Sequence, residues 1–191
     1  QKLMASFKVK GGIKLKGEII PQGAKNEALQ ILCAVLLTEE EMIIHNVPHI
    51  RDVMKLLDLL SDMGVMVEKL DDGSYRMNAA HIDLAYLETE DFLEKASSLR
   101  GSIMILGPLL SRFGSGKISK PGGDKIGRRR LDTHFTGFEK LGAKFTYNAK
   151  KGIYHIDGKN LKGCYMLLDE ASVTGTANII MAAVMAEGNT T

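Results

Sequence analysis

The chain has no tryptophan, and its aromatic share is only 6%. A surface that grips single-stranded nucleic acid by stacking bases on aromatic rings therefore has little to work with. Charge of one sign is also scarce. The formal net charge of +2 argues against a dedicated nucleic-acid binder, although it allows local basic clusters. The two cysteines, Cys33 and Cys164, lie far apart and no secretory signal precedes them, so a disulfide framework is not expected and a reducing compartment, the cytoplasm, is. No apolar run approaches the roughly 18 residues that a membrane span needs. His45, His49, His81 and His155 show no metal-ligand spacing, so neither a metal nor a cofactor is expected. What remains is a chain of 191 residues, 45% hydrophobic and 25% charged, able to build a real core.

Low-complexity stretches and linkers are missing too, but internal repetition is present. Three apolar segments resemble one another: Ala28 to Leu37, Ile103 to Leu110 and Ala177 to Ala186, about 75 residues apart. β-like stretches follow the first two, MIIHNVP from Met42 and GKISKP from Gly116. Ile50 to Met63 then carries Val53, Leu56, Leu57, Leu60 and Met63 at helical spacing and stops at Gly64. Arg128 to Leu141 does the same with Leu131, Phe135, Phe138 and Leu141, and stops at Gly142. Paired strand-like pieces come next, VMVEKL with SYRMN and AKFTYN with IYHID. Each unit reads helix, strand, amphipathic helix, strand, strand, and the third holds only its first helix. Short apolar runs can also be central strands, but their alanine and methionine favour helix. Helices apolar on every side are expected to be buried against each other, with sheets outside.

The residues that open the three apolar helices carry the chemistry. They are Gly23-Ala24-Lys25-Asn26, Ser97-Ser98-Leu99-Arg100-Gly101-Ser102 and Ala171-Ser172-Val173-Thr174-Gly175-Thr176. A helix start offers unpaired N–H groups and the positive end of the dipole. If the three starts share one face, Lys25 and Arg100 meet beside Ser172 and Thr174 and form a site for a multiply anionic small molecule. Ser172 and Thr174 by themselves are better explained as helix caps. A half-buried cation at the edge of an apolar helix needs a partner, so Lys25 and Arg100 are less easily dismissed.

Between Lys120 and His134 lies the densest local signal, a glycine loop around Asp124 followed by Arg128, Arg129 and Arg130, then Asp132 and His134. Arginine holds phosphate through a planar paired contact, and an aspartate beside cations can move protons. Taken alone, a Gly-Gly-Asp turn is often only a turn, and an arginine run is often a solvated face or a nucleic-acid contact. His134 is read equally as a packing residue and is left outside the catalytic set.

GEIIPQGAKNEAL, SSLRGSIMILGPLLSRFG, PGGDKIGRRRLDTH and DEASVTGTANIIMAA, in this order and register from about Phe7 onward, resemble the UDP-N-acetylglucosamine 1-carboxyvinyltransferase family of enolpyruvyl transferases. The resemblance implies an α/β fold of two similar domains, each an inside-out barrel of three repeats with helices inside and sheets outside. It implies that 1–23 form a strand and crossover belonging to the second domain, and that 24–191 form the substrate-binding domain, divided as 24–96, 97–168 and a truncated 169–191.

The activity it implies is transfer of the enolpyruvyl group of phosphoenolpyruvate to the 3′-hydroxyl of UDP-N-acetylglucosamine, releasing phosphate, at the first committed step of peptidoglycan synthesis. By this resemblance Asp124 is the general acid, and Lys25, Asn26 and Arg129 hold phosphoenolpyruvate, Lys25 and Arg129 also acting in catalysis. Arg100, Arg129, Arg130, Leu131, Asp132, Thr133, Glu170, Ala171, Ser172 and Val173 take the UDP-sugar. The implied partners are these two small molecules, with no nucleic acid and no membrane.

Two positions depart from the family pattern. Cysteine is common where this chain has Asp124, and a carboxylate is a poorer nucleophile than a thiolate toward an epoxide, so fosfomycin resistance is expected. Lysine is common where Glu170 stands, which puts a side-chain diphosphate contact there in doubt. The chain is roughly half the family length, so it is expected to be inactive alone. The rival readings are 3-phosphoshikimate 1-carboxyvinyltransferase and, from another class, a nucleic-acid-binding module using Lys117, Lys120, Lys125 and Arg128 to Arg130.

Overall fold

The computed structural model describes residues 6–120 and 131–191. Two units of the same plan follow one another. In the first, α1 (Lys25–Ala34) continues as a 3-10 turn over Val35–Leu37, then come β1 (Glu41–Ile44), α2 (Arg51–Asp62), β2 (Met66–Lys69) and β3 (Tyr75–Asn78). After α3 (Glu90–Ser97), the second unit begins with a 3-10 turn over Arg100–Ile105 that leads into α4 (Leu106–Phe113). It continues with β4 (Ser115–Ser119), α5 (Asp132–Lys140), β5 (Lys144–Asn148) and β6 (Ile153–Asp157). The third apolar helix is α6 (Val173–Ala183).

The two sheets have the same topology, β1-β3-β2 and β4-β6-β5, with antiparallel neighbours throughout. The first and second strands of each unit therefore run the same way, joined by the amphipathic helix, while the third strand inserts between them. Register runs from Glu41 opposite Asn78 to Ile44 opposite Tyr75, and from Ser115 opposite Asp157 to Ser119 opposite Ile153.

α2 shows why the sequence folds as it does. Val53, Leu56, Leu57 and Leu60 fall on one face by three- and four-residue spacing, and all are buried. Each contributes on the order of 2 kcal/mol by leaving water. Asp52 in the first turn suits the positive helix end. The helix stops because Gly64, at φ +98°, turns the chain left-handed, and Gly142 at φ +99° does the same after α5. Leu56→Ala would open a cavity in this layer and cost about 2 to 5 kcal/mol.

Leu32, Cys33 and Leu36, then Ile103 to Leu106, then Ile179 and Ala182 join α2 and α5 residues in one core cluster. The three apolar helices are central, but they are not buried on every side. α6 rests one face on α4 and α5, and Val173, Ile180, Val184 and Met185 are exposed, since among the described residues no element covers the other face. Residues 6–24 contain no regular element. Phe7, Leu15 and Ile19 there are each more than 90% exposed, so this apolar-cationic alternation finds no strand partner among the described residues.

α3 was not expected from the apolar pattern. Thr89 caps it by accepting from the Phe92 N–H at 3.2 Å, Glu90 and Asp91 occupy its first turn, and only Phe92 and Ala96 are buried. Eight residues with two core contacts are too few for periodicity to reveal.

Candidate functional site

Several helix starts converge on one cavity of about 710 Å³, a volume ordinary for a small-molecule site. α1 supplies Lys25 and Asn26, α2 supplies Arg51, Asp52 and Lys55, and the 3-10 turn before α4 supplies Arg100 and Gly101. Leu131 and His134 enter from the start of α5, and Thr174 from the first turn of α6. Among the described residues its charged lining comprises Lys25, Arg51, Lys55 and Arg100 against one carboxylate, Asp52. Such a surplus of cations in a concave site favours a multiply anionic guest.

Local structure fixes several of these groups. Lys25 Nζ lies 3.1 Å from Asp52 Oδ2, which ties the mouth of α1 to that of α2. Lys55 Nζ reaches Ser98 Oγ at 3.5 Å. Arg100 is set by the turn that follows α3. There the buried Ser102 hydroxyl bonds the carbonyls of Ala96 and Leu99 at 2.8 and 2.7 Å and locks the chain direction. Burial, with a smaller contribution from the Arg100 charge, holds the His134 ring at a pKa of about 4, so it is neutral at pH 7.

The expected site residues separate into groups. Lys25, Asn26, Arg100 and Leu131 line the cavity together. Thr133 is buried and donates to Glu170 Oε1 at 3.0 Å and, more weakly, to Asp169 Oδ1 at 3.4 Å. The Glu170 side chain thus holds the segment before α6 against α5. Asp132 is exposed in the first turn of α5, and Ala171 is exposed beside Glu170. Ser172 caps α6 through the Gly175 N–H at 3.1 Å, while Thr174 rather than Ser172 reaches the cavity, and Val173 is exposed. Asp124, Arg129 and Arg130 fall outside the described residues, as do Lys125 and Arg128.

Arg51, Asp52 and Lys55 were missed in the sequence. A signal existed, because Arg51 stands as far before Gly64 as Arg129 stands before Gly142, so the repeat itself pointed to a basic start for α2. Lys117 of the supposed basic stripe is instead paired with Glu88. Among the described residues no group of His, Cys, Asp and Glu could hold a metal, and no helix is long and apolar enough to cross a membrane.

Solved structures share this fold. An enolpyruvyl transferase from Streptomyces tendae matches over 94% of this chain and 41% of its own, with a TM-score of 0.74 at 19% identity. An EPSP synthase from Acinetobacter baumannii matches over 91% of this chain and 39% of its own, with a TM-score of 0.64 at 20% identity. The family model for EPSP synthase (3-phosphoshikimate 1-carboxyvinyltransferase) matches residues 9–191, and the chain belongs to that family. Within it, high identity points one way. UDP-N-acetylglucosamine 1-carboxyvinyltransferases from Bacteroides fragilis and Porphyromonas gingivalis are 63% and 55% identical over 98% of this chain. The chain spans about 43% of the length of these relatives.

Proposed function

We propose that the whole protein transfers the enolpyruvyl group of phosphoenolpyruvate to the 3′-hydroxyl of UDP-N-acetylglucosamine and releases phosphate, an early step in building peptidoglycan in the cytoplasm. One observation carries this reading: Lys25, Arg51, Lys55 and Arg100, from three separate helices, share a single cavity. The 63% identity to a relative bearing that name supports the choice of acceptor.

In this reading 24–191 are the substrate-binding domain, one inside-out barrel of helices within and sheets outside whose third unit needs further chain. Residues 1–23 belong to a second domain. The exposed apolar face of α6 and the uncovered residues 6–24 support that division. Lys25 and Asn26 take the phosphoenolpyruvate phosphate, with Arg129 from the neighbouring loop. Arg100 neutralises the charge that develops as the sugar oxygen bonds to C2 of phosphoenolpyruvate, and preorganised cations stabilise that state without reorienting. Arg129, Arg130, Leu131, Asp132, Thr133 and the run Glu170 to Val173 frame the UDP-sugar. Glu170 acts here through Thr133 and its backbone.

Asp124 delivers the proton to C3 as general acid. Its carboxylate attacks epoxides poorly, so fosfomycin does not inactivate the enzyme, and Asp124→Cys creates sensitivity. A rapid fosfomycin adduct on Asp124, seen by mass spectrometry, would refute that part.

The test of the reaction is phosphate release from phosphoenolpyruvate by the full-length protein, with UDP-N-acetylglucosamine and shikimate 3-phosphate as competing acceptors. Turnover with the nucleotide sugar alone is the expected result. Turnover with shikimate 3-phosphate, or with neither acceptor, contradicts the proposal.

A further inference from the structure

The starting point is a buried asparagine. Asn178 on α6 has no solvent exposure, and its side chain meets three partners. The Gly107 N–H donates to its Oδ1 at 2.9 Å, and its Nδ2 stands 2.9 Å from the Ile103 carbonyl and 3.0 Å from His134 Nδ1. A backbone N–H can only be answered by the amide oxygen, so the amide cannot be turned over. Both Nδ2 hydrogens are then assigned, one to Ile103 O and one to His134 Nδ1. A nitrogen that accepts carries no proton, and the neutral imidazole must hold its proton on Nε2.

The arrangement has no slack. α4 and α6 cross so closely at Gly107 that any Cβ there would overlap Asn178. On the other side of the ring, His134 lines the cavity shared with Arg100 and is only 3% exposed. Among the described residues no group bonds Nε2, and the Ser111 hydroxyl is the one side-chain polar atom both sealed and unpartnered. Nε2 therefore opens on the cavity. A largely buried N–H needs an acceptor, and a guest in the cavity can bring one without disturbing the core.

We infer that His134 donates its Nε2–H to an oxygen of the phosphorylated ligand in the cavity, and that Asn178 is the positioning residue that fixes its tautomer and aim. The identity of that ligand rests on the function proposed above. The donor adds direction where the surrounding cations add only charge. Burial keeps the ring uncharged, and a second proton on Nδ1 would oppose the Asn178 amide. His134 thus acts as a donor and never as a base. It favours an acceptor oxygen, phosphate or carboxylate, over an ammonium group, which can only donate.

Two substitutions separate this role from packing. In His134→Asn the short amide still reaches Asn178 but loses the distal donor. In His134→Gln the amide nitrogen takes the place of Nε2. Binding of UDP-N-acetylglucosamine and of phosphoenolpyruvate is measured in the full-length protein, with nitrogen-15 spectra of the His134 ring. The expected results are an Nε2–H tautomer and a roughly tenfold loss of affinity for at least one ligand in His134→Asn. His134→Gln should keep affinity within about threefold, because its donor remains. An Nδ1–H tautomer, undiminished binding in His134→Asn, or equal losses in both variants overturns the inference. If the wild-type protein binds neither compound, the proposed function fails. The ring signal with inorganic phosphate then decides, and no shift on adding phosphate overturns the inference as well.

Discussion

Lys25 Nζ stands 3.1 Å from Asp52 Oδ2, and this contact joins the first turns of two helices at the rim of the cationic cavity. Both side chains are near half exposed, so solvent screens the pair and its contribution to stability stays within about 1 kcal/mol. Asp52→Asn is expected to leave the thermal midpoint nearly unchanged. Lys25→Ala also leaves the fold intact but removes a cation that the guest requires, weakening phosphoenolpyruvate binding by roughly tenfold or more. Calorimetric unfolding and titration of the two variants check both halves.

The His134 ring makes stability depend on pH in a definite direction. Its pKa falls from 6.5 in the open chain to about 4 in the fold, so the folded form is favoured most when the ring is neutral. That contribution is complete above pH 6.5 and is lost as pH falls toward 4, an effect on the order of 3 kcal/mol. Arg100 is the charged group that acts on the ring, and Asn178 is its hydrogen-bond partner. Carboxylates such as Asp91, held low by Lys95 and Tyr86, lose their own contributions in acid. The measurement is therefore the difference in urea midpoint between wild type and His134→Gln across pH 7 to 4. The wild type should lose more stability over that interval.

The crossing of α4 and α6 depends on a missing side chain. Gly107→Ala pushes a methyl group against the Asn178 backbone and cannot be relieved by a rotamer change. A loss of about 1 to 3 kcal/mol is expected, read from the denaturant midpoint. Since Gly107 also holds the Asn178 oxygen, the same variant should blur the His134 tautomer.

Arg112 binds the first unit to the second. Its guanidinium donates to the carbonyls of Leu36, Thr38 and Ala79 at 3.2, 3.3 and 2.7 Å and pairs with Glu39 at 3.0 Å, with the side chain only 10% exposed. Nη1 meets the three carbonyls while Nη2 meets Glu39, and lysine has a single nitrogen in place of these two. Arg112→Lys should lower stability by about 2 kcal/mol, and Arg112→Ala by more, because each buried carbonyl left unbonded adds its desolvation.

Much of the fold was legible because its signals were periodic or punctuated. Gly64 and Gly142 marked the ends of α2 and α5, and the repeat of strand pairs after them predicted both sheets. The cavity was half legible: Lys25 and Arg100 were visible as cations at the edges of apolar helices. Arg51 and Lys55 were hidden, since a charge on an amphipathic helix looks the same whether it faces solvent or a ligand. His134 could not be assigned, because its role depends on Asn178, which is distant in sequence and meets it only when α5 packs on α6. The exposure of α6 was also unreadable, as apolar composition tells what needs covering and not what covers it.

The most direct test of the account is a crystal structure of the full-length protein with UDP-N-acetylglucosamine and phosphoenolpyruvate or an unreactive analogue. The account predicts phosphate and carboxylate oxygens inside the cavity, within hydrogen-bond reach of both Lys25 and Arg100. Ligands bound elsewhere, or touching only one of those two side chains, would contradict it.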